Sequence, residues 1–306
     1  MGATTTTLTP EHNRELLDAA AAAFDASRED SKRGVTHAKR DVALALSVAD
    51  VLVAVHDHRP LCEPGPSGGV LIAFTDDEAA SAWAATRHSA APRSELVSTA
   101  ELSAGGPSRK HWLAMLEQAG ASSIALNPAG PLGSVVYEEE LRATRPRLLR
   151  RSGARPRHPW LDVGARKAER SRAGALLESL AAAVAHRDER TFAELRPELP
   201  MLNQIGSLLW AAQLQVLSGR RHLAKGSAKD GLYQMIYGSF GFGRFGDPYR
   251  STDGLLEAGG VLLDRRDGGD WQAAYLTESC EVLERISVGY RDQEVANLLA
   301  MASEWR

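Results

Sequence analysis

The sequence predicts an α/β domain followed by a mainly α-helical one, and three observations carry that reading. Short β-rich runs alternate with helical stretches as far as residue 141, arginine and proline crowd the segment 142–172, and beyond it apolar residues recur at helical spacing. With 306 residues the chain is about twice a typical domain, so two separate cores are expected. The reading divides it into a flexible tail at 1–9, an α/β (α+β) domain at 10–146 with a mixed sheet of about five strands covered by helices, an Arg/Pro-rich linker at 147–166, and a helical domain at 167–306.

Thr9, Pro10 and Glu11 spell an N-cap, a first helical position and an acidic first turn, which launch an Ala-rich helix through about Phe24. Val42 to Ala49 ends a second helix, and Val51 to Val55 reads as a buried strand. Gly69 to Phe74 is another strand; Thr75 is placed to cap the helix after it, with Glu78 reaching back. That helix carries Trp83 and ends near His88, ahead of Pro92. Leu96 and Val97 mark a short strand, and the next helix, with Trp112, Met115 and Leu116 on one face, stops at Gly120. A hairpin follows, its structural turn made by Asn127, Pro128, Gly130 and Pro131. Pro128 bars Asn127 from the helical region, Gly130 supplies a positive φ, and Pro131 sets the exit.

In the second half Leu176, Leu177, Leu180 and Val184 share a helical face, as do Ile205, Leu208, Leu209, Ala212 and Val216. Thr191 and Glu194 give a capping-box signal, and two further helices carry Trp271 to Ile286 and Val295 to Ala302. No fixed-period repeat is discerned, and a solenoid is not expected.

Composition excludes several classes. A 43% apolar and 25% charged chain folds rather than staying disordered, and a net charge of -3 gives no global attraction to nucleic acid. Cys62 and Cys280 are the only thiols, which is no disulfide framework and points to a reducing compartment, so a cytoplasmic location is expected. The start of the chain does not read as a secretory signal, and no apolar run reaches the about 20 residues of a membrane span.

Taken together, the strands at Val51 to Val55 and Val70 to Phe74, the Phe74-Thr75 helix start, Leu96-Val97 and the Asn127-Pro128-Ala129-Gly130-Pro131 hairpin resemble the SseB family N-terminal domain over about residues 10–141. The resemblance implies a bacterial α/β module without established enzymatic activity, in a family named for an effect on serine sensitivity and often joined to a different C-terminal region. It brings no catalytic residues to this chain.

Candidate chemistry is sparse. His56 and His58, two apart on a strand, with Cys62 beyond them, form the best metal-like set, although a fourth ligand is not visible. Gly241, Gly243 and Gly246 fit the letters of a dinucleotide fingerprint, yet Asp247 and Pro248 break the chain where a helix should open, so a glycine loop pinned by Phe240, Phe242 and Phe245 is expected instead. Arg147, Arg150, Arg151, Arg155, Arg157 and Trp160 are the candidate interaction residues. They suit an acidic protein surface better than phosphate, although Tyr233, Tyr237 and Phe240 could stack bases. No P-loop, nucleophile elbow or paired acid and base is present. The expected function is therefore that of a non-enzymatic adaptor or regulatory protein with an unidentified protein partner, without cofactor, metal, membrane or nucleic acid. The alternative is an enzyme or small-molecule sensor with a ligand site between the two domains.

Overall fold

The computed structural model describes residues 10–28, 32–102, 108–130, 133–144, 163–205, 207–265 and 269–304. The chain forms two compact units: the first is Met1–Cys62, Gly69–Thr86 and Pro92–Arg166, the second Glu63–Gly68, Arg87–Ala91 and Lys167–Arg306. Two short segments expected in the α/β domain thus group with the helical residues. The tail at 1–9 and most of the expected linker lie outside the described residues, and residues 163–166 of that linker already belong to a helix.

The first unit opens with helices α1 (Pro10–Arg28) and α2 (Lys32–Leu46). Strands β1 (Leu52–His56), β2 (Arg59–Pro60), β3 (Cys62–Gly65) and β4 (Gly68–Phe74) lead to α3 (Asp77–Thr86), β5 (Glu95–Ser98) and α4 (Thr99–Leu102). Helix α5 (Arg109–Ala119), β6 (Ala121–Leu126), β7 (Ser134–Tyr137) and α6 (Glu138–Ala143) complete it. The sheet has seven strands, with the order β2-β1-β4-β6-β7, β3 paired to β4 and β5 to β1. It is mixed: β4 and β6 run parallel, while β1 pairs antiparallel with β2, β4 and β5, and β6 with β7. The two strands beyond the expected five are brief pairings in the turn-rich stretch after β1, where periodicity gives no signal.

Strand alternation sorts the sheet residues between two faces. Val53, Leu71, Ala73, Ile124, Leu126 and Val136 enter the main core with Leu16, Val42, Leu46, Trp112, Leu116 and Leu141 of α1, α2, α5 and α6. On the other face Phe74 meets Trp83 of α3, with ring centroids 5.2 Å apart. Trp112 is fully buried, and its indole donates to Leu46 O at 2.9 Å, which satisfies the one polar group it carries inward. Gly120, at φ 64°, closes α5 in the left-handed conformation that the sequence predicts.

Two expected roles are corrected here. Asp76, not Thr75, caps α3, its Oδ1 accepting from Ala79 N at 2.8 Å. In the hairpin the positive φ falls on Asn127 (47°) rather than on Gly130. Thr75 is engaged instead by Asn127. Asn127 Oδ1 accepts from Thr75 N at 3.0 Å, and its Nδ2 donates to Thr75 Oγ1 at 2.9 Å. Asparagine tolerates the left-handed region better than most residues, and Pro128 disfavours the right-handed one. Gly130 N donates to Asn127 O at 3.0 Å, Pro128 is buried, and Pro131 lies outside the described residues.

The second unit is built from α7 (Val163–Ala185), α8 (Glu189–Leu195), a 3-10 turn at Arg196–Glu198, α9 (Leu199–Ile205), α10 (Leu208–Ala224), α11 (Ala228–Arg244), α12 (Pro248–Asp264), α13 (Asp270–Ile286) and α14 (Asp292–Ser303). The expected capping box at Thr191 is replaced by Asp188, whose side chain accepts from Thr191 N. A repeat that the sequence reading misses is present: α10, α11 and α12 are each 17 residues long, and their N-caps Ser207, Ser227 and Asp247 are spaced by 20. The signal was a recurring Gly-Ser or Gly-Asp pair at 206–207, 226–227 and 246–247.

The repeat packs through glycine. A Cβ on Gly219 would stand 2.6 Å from Gly231 O, and one on Gly238 2.8 Å from Ala212 O. As contacts on α10 move toward its start, their partners on α11 move toward its end, so the two helices are antiparallel with backbones in near contact. The supposed glycine loop at 241–246 is a correction of the same kind. Gly241 and Gly243 are helical within α11, Phe242 is buried, and only Gly246 takes a positive φ (80°) before Asp247. A helix, not a strand, precedes the glycines, which removes the dinucleotide geometry.

Candidate functional site

The metal-like set does not assemble. Asp57 and His58 take φ 49° and 62° and form the two-residue turn between β1 and β2, so His58 is not a strand residue and does not share a face with His56. His56 Nδ1 lies 2.8 Å from Arg93 O. Among the described residues no group of three or more His, Cys, Asp and Glu is placed to hold a metal ion. Arg147, Arg150, Arg151, Arg155, Arg157 and Trp160 all lie outside the described residues.

Three other groupings arise from the second unit. One is a polar cluster around His88, whose ring stacks on Tyr249 at 5.5 Å between centroids and meets Tyr290 edge-on at 5.2 Å. Asp253 accepts from Tyr290 Oη at 3.1 Å and Arg291 Nη1 at 2.9 Å, and lies 3.5 Å from His88 Nε2. Glu63 pairs with Arg87 at 3.1 Å, and Asp247 with Arg250 Nε at 2.9 Å. Each of these carboxylates faces an arginine and is thereby held in place.

Asp247 is the informative member of that cluster, because its Oδ1 also caps α12 by accepting from Arg250 N at 3.1 Å. Burial pushes its carboxyl above the usual aspartate range, opposed by Arg250 and, less, by His88 and Arg87. An acid whose folded value is raised contributes stability that is present below its unfolded value and is lost as pH rises through the folded one. Asp247→Asn keeps the capping oxygen and should remove this fall, measured by urea unfolding between pH 3 and 7. Asp247→Ala loses the cap and the titrating group together, so it should cost about 1 kcal/mol at low pH and less as pH rises.

The second grouping is an aromatic face on α11 and α13. Tyr233, Tyr237 and Phe240 follow one stripe of α11, and Trp271 and Tyr275 one stripe of α13. Ring centroids are 4.4 Å apart for Tyr233 and Tyr237, 5.7 Å for Tyr237 and Phe240, 6.3 Å for Tyr233 and Tyr275, and 5.5 Å for Trp271 and Tyr275. Tyr233 and Tyr237 remain 44% and 39% exposed, while Phe240, Trp271 and Tyr275 are partly buried against the helical core. The charge of Glu278 first, then burial, raises the Tyr237 phenol; burial, the neighbouring phenols, Glu278 and Asp230 raise that of Tyr275.

The third grouping is a cavity of about 320 Å³ lined by Ala181, Val184, Leu217, Leu223, Arg220 and Glu257 among others. Its charged wall is already occupied, since Arg220 Nε and Nη2 donate to Glu257 at 3.0 and 2.6 Å.

The chain is thus a mixed α/β unit coupled in sequence to a helical unit with a 20-residue repeat, and no helix among the described residues is long and apolar enough to cross a membrane. No protein-family model, curated protein or solved structure matches it.

Proposed function

We propose that this chain is a non-enzymatic bacterial adaptor or regulatory protein of the cytoplasm, with an SseB-like first unit, that works by protein-protein contact. The observation that carries the reading is the aromatic face of α11 and α13. Tyrosine and tryptophan combine a large apolar body with a polar tip, and this makes them the residues most enriched where partners bind. Three tyrosines and one tryptophan stand here beside Phe240, and Tyr233 and Tyr237 keep exposed ring surface. The arginine-paired carboxylates of the His88 cluster support the non-enzymatic part of the reading, because their charges are engaged.

Replacing Tyr233 and Tyr237 together by serine tests this. In cross-linking from the native host, the original chain should recover a defined partner and the double variant at least about tenfold less of it, in line with the loss of a hot spot. Thermal melting should fall only modestly, because Tyr233 and Tyr237 keep 44% and 39% of their surface exposed. Equal recovery by the variant would remove the aromatic face from the function.

A further inference from the structure

Resting on the docking reading above, we infer that the aromatic face receives an arginine-bearing segment of a protein partner, its guanidinium seated on the rings of Tyr233, Tyr237 and Tyr275 and drawn there by Glu278 and Asp230. Three features point to a cation. An aromatic ring presents a negative face, and these three are near neighbours, at 4.4 Å for Tyr233 and Tyr237 and 6.3 Å for Tyr233 and Tyr275. Glu278 extends the Trp271 and Tyr275 stripe of α13 by one turn, and Asp230 stands one turn before Tyr233 on α11. Both carboxylates act on the phenols at the centre of the face, so the field there is acidic.

The basic residues of the same stripe stand at its ends. Lys229 is one turn before Tyr233 and Arg244 one turn after Phe240, so they bracket the rings rather than cover them. Arginine fits this setting better than lysine, because its planar, weakly hydrated guanidinium stacks on a ring while its edge still donates to a carboxylate. An acidic segment would meet Glu278 and Asp230 and be repelled. A purely apolar one would strip water from two carboxylates without replacing their hydrogen bonds.

The test is a display selection of random 12-residue peptides on the full-length chain, run in parallel on the Tyr233→Ser/Tyr237→Ser variant. Peptides enriched on the original chain should carry arginine beside apolar residues and be lost from the variant. For the best of them, fluorescence anisotropy should show about tenfold weaker binding after Arg→Gln in the peptide, and a similar loss for Glu278→Lys in the chain. Binding should also weaken as salt rises. Enriched peptides that need the tyrosines but lack arginine would overturn the cation assignment and leave the docking face standing. Peptides retained equally by the variant, or none enriched, would overturn the docking reading with it. A dimer of the original chain in light scattering that becomes monomeric in the variant would assign the face to a second copy and end the proposal.

Discussion

Asn127→Ala should cost the first unit about 2–4 kcal/mol, measured by urea unfolding followed through Trp83 and Trp112 fluorescence. Asn127 is 2% exposed, and its carboxamide satisfies both the backbone N–H and the hydroxyl of Thr75, at the end of a strand 52 residues earlier in the chain. Truncation leaves a buried N–H without its acceptor, which costs about 1–3 kcal/mol. It also leaves alanine at φ 47°, a region that costs an ordinary residue about 1–2 kcal/mol. Two further variants separate these causes. Asn127→Asp retains the acceptor for Thr75 N but sets a buried carboxylate against Thr75 Oγ1 and should cost at least as much, whereas Asn127→Gly relieves the backbone while losing both hydrogen bonds. An alanine variant within about 0.5 kcal/mol of the original chain, the range of ordinary surface changes, would show that the corner does not hold the sheet.

The second large effect belongs to the helical unit, where Gly219→Val should cost about 3 kcal/mol and lower its melting temperature by several degrees. The added Cβ would lie 2.6 Å from Gly231 O and 2.7 Å from Met235 N, both backbone atoms that cannot turn aside as a side chain does. Helices α10 and α11 must then move apart along their whole antiparallel contact. Gly260→Ala in α12 is the matched control: nothing stands within 4 Å of its Cβ, so it should stabilise by about 0.5–1 kcal/mol through the helical preference of alanine. If both substitutions shift melting alike, close approach of the two helices is not what sets stability there.

These two sites also show how far local sequence reaches. The hairpin at 127–130 was legible because Asn, Pro and Gly restrict their own φ and ψ, yet the assignment of the positive φ to Gly130 failed. Asparagine could take that conformation because its side chain has a partner in Thr75, and nothing within a few residues of Asn127 announces Thr75. In the same way Gly241 and Gly243 read as a loop from their local preference. Their place inside α11 follows from the neighbouring helices, Ala212 of α10 and Ser251 of α12, which leave them almost no room for side chains. The tyrosine stripe of α11 was visible as a possible stacking surface, while Tyr275 and Trp271 were seen only as members of another helix.

What the sequence by itself determined is whatever acts within a turn or two of the chain: the order of the main strands and helices, the Gly120 stop and the helical character of the second half. These follow from propensity, capping and periodicity, which need no distant partner. The tertiary structure decided which distant segments meet. Asn127 with Thr75, Asp247 and Asp253 in the cluster around His88, and Tyr233 with Tyr275 are all pairings set by close packing over the whole unit, and such packing depends on shapes that no short window of residues contains.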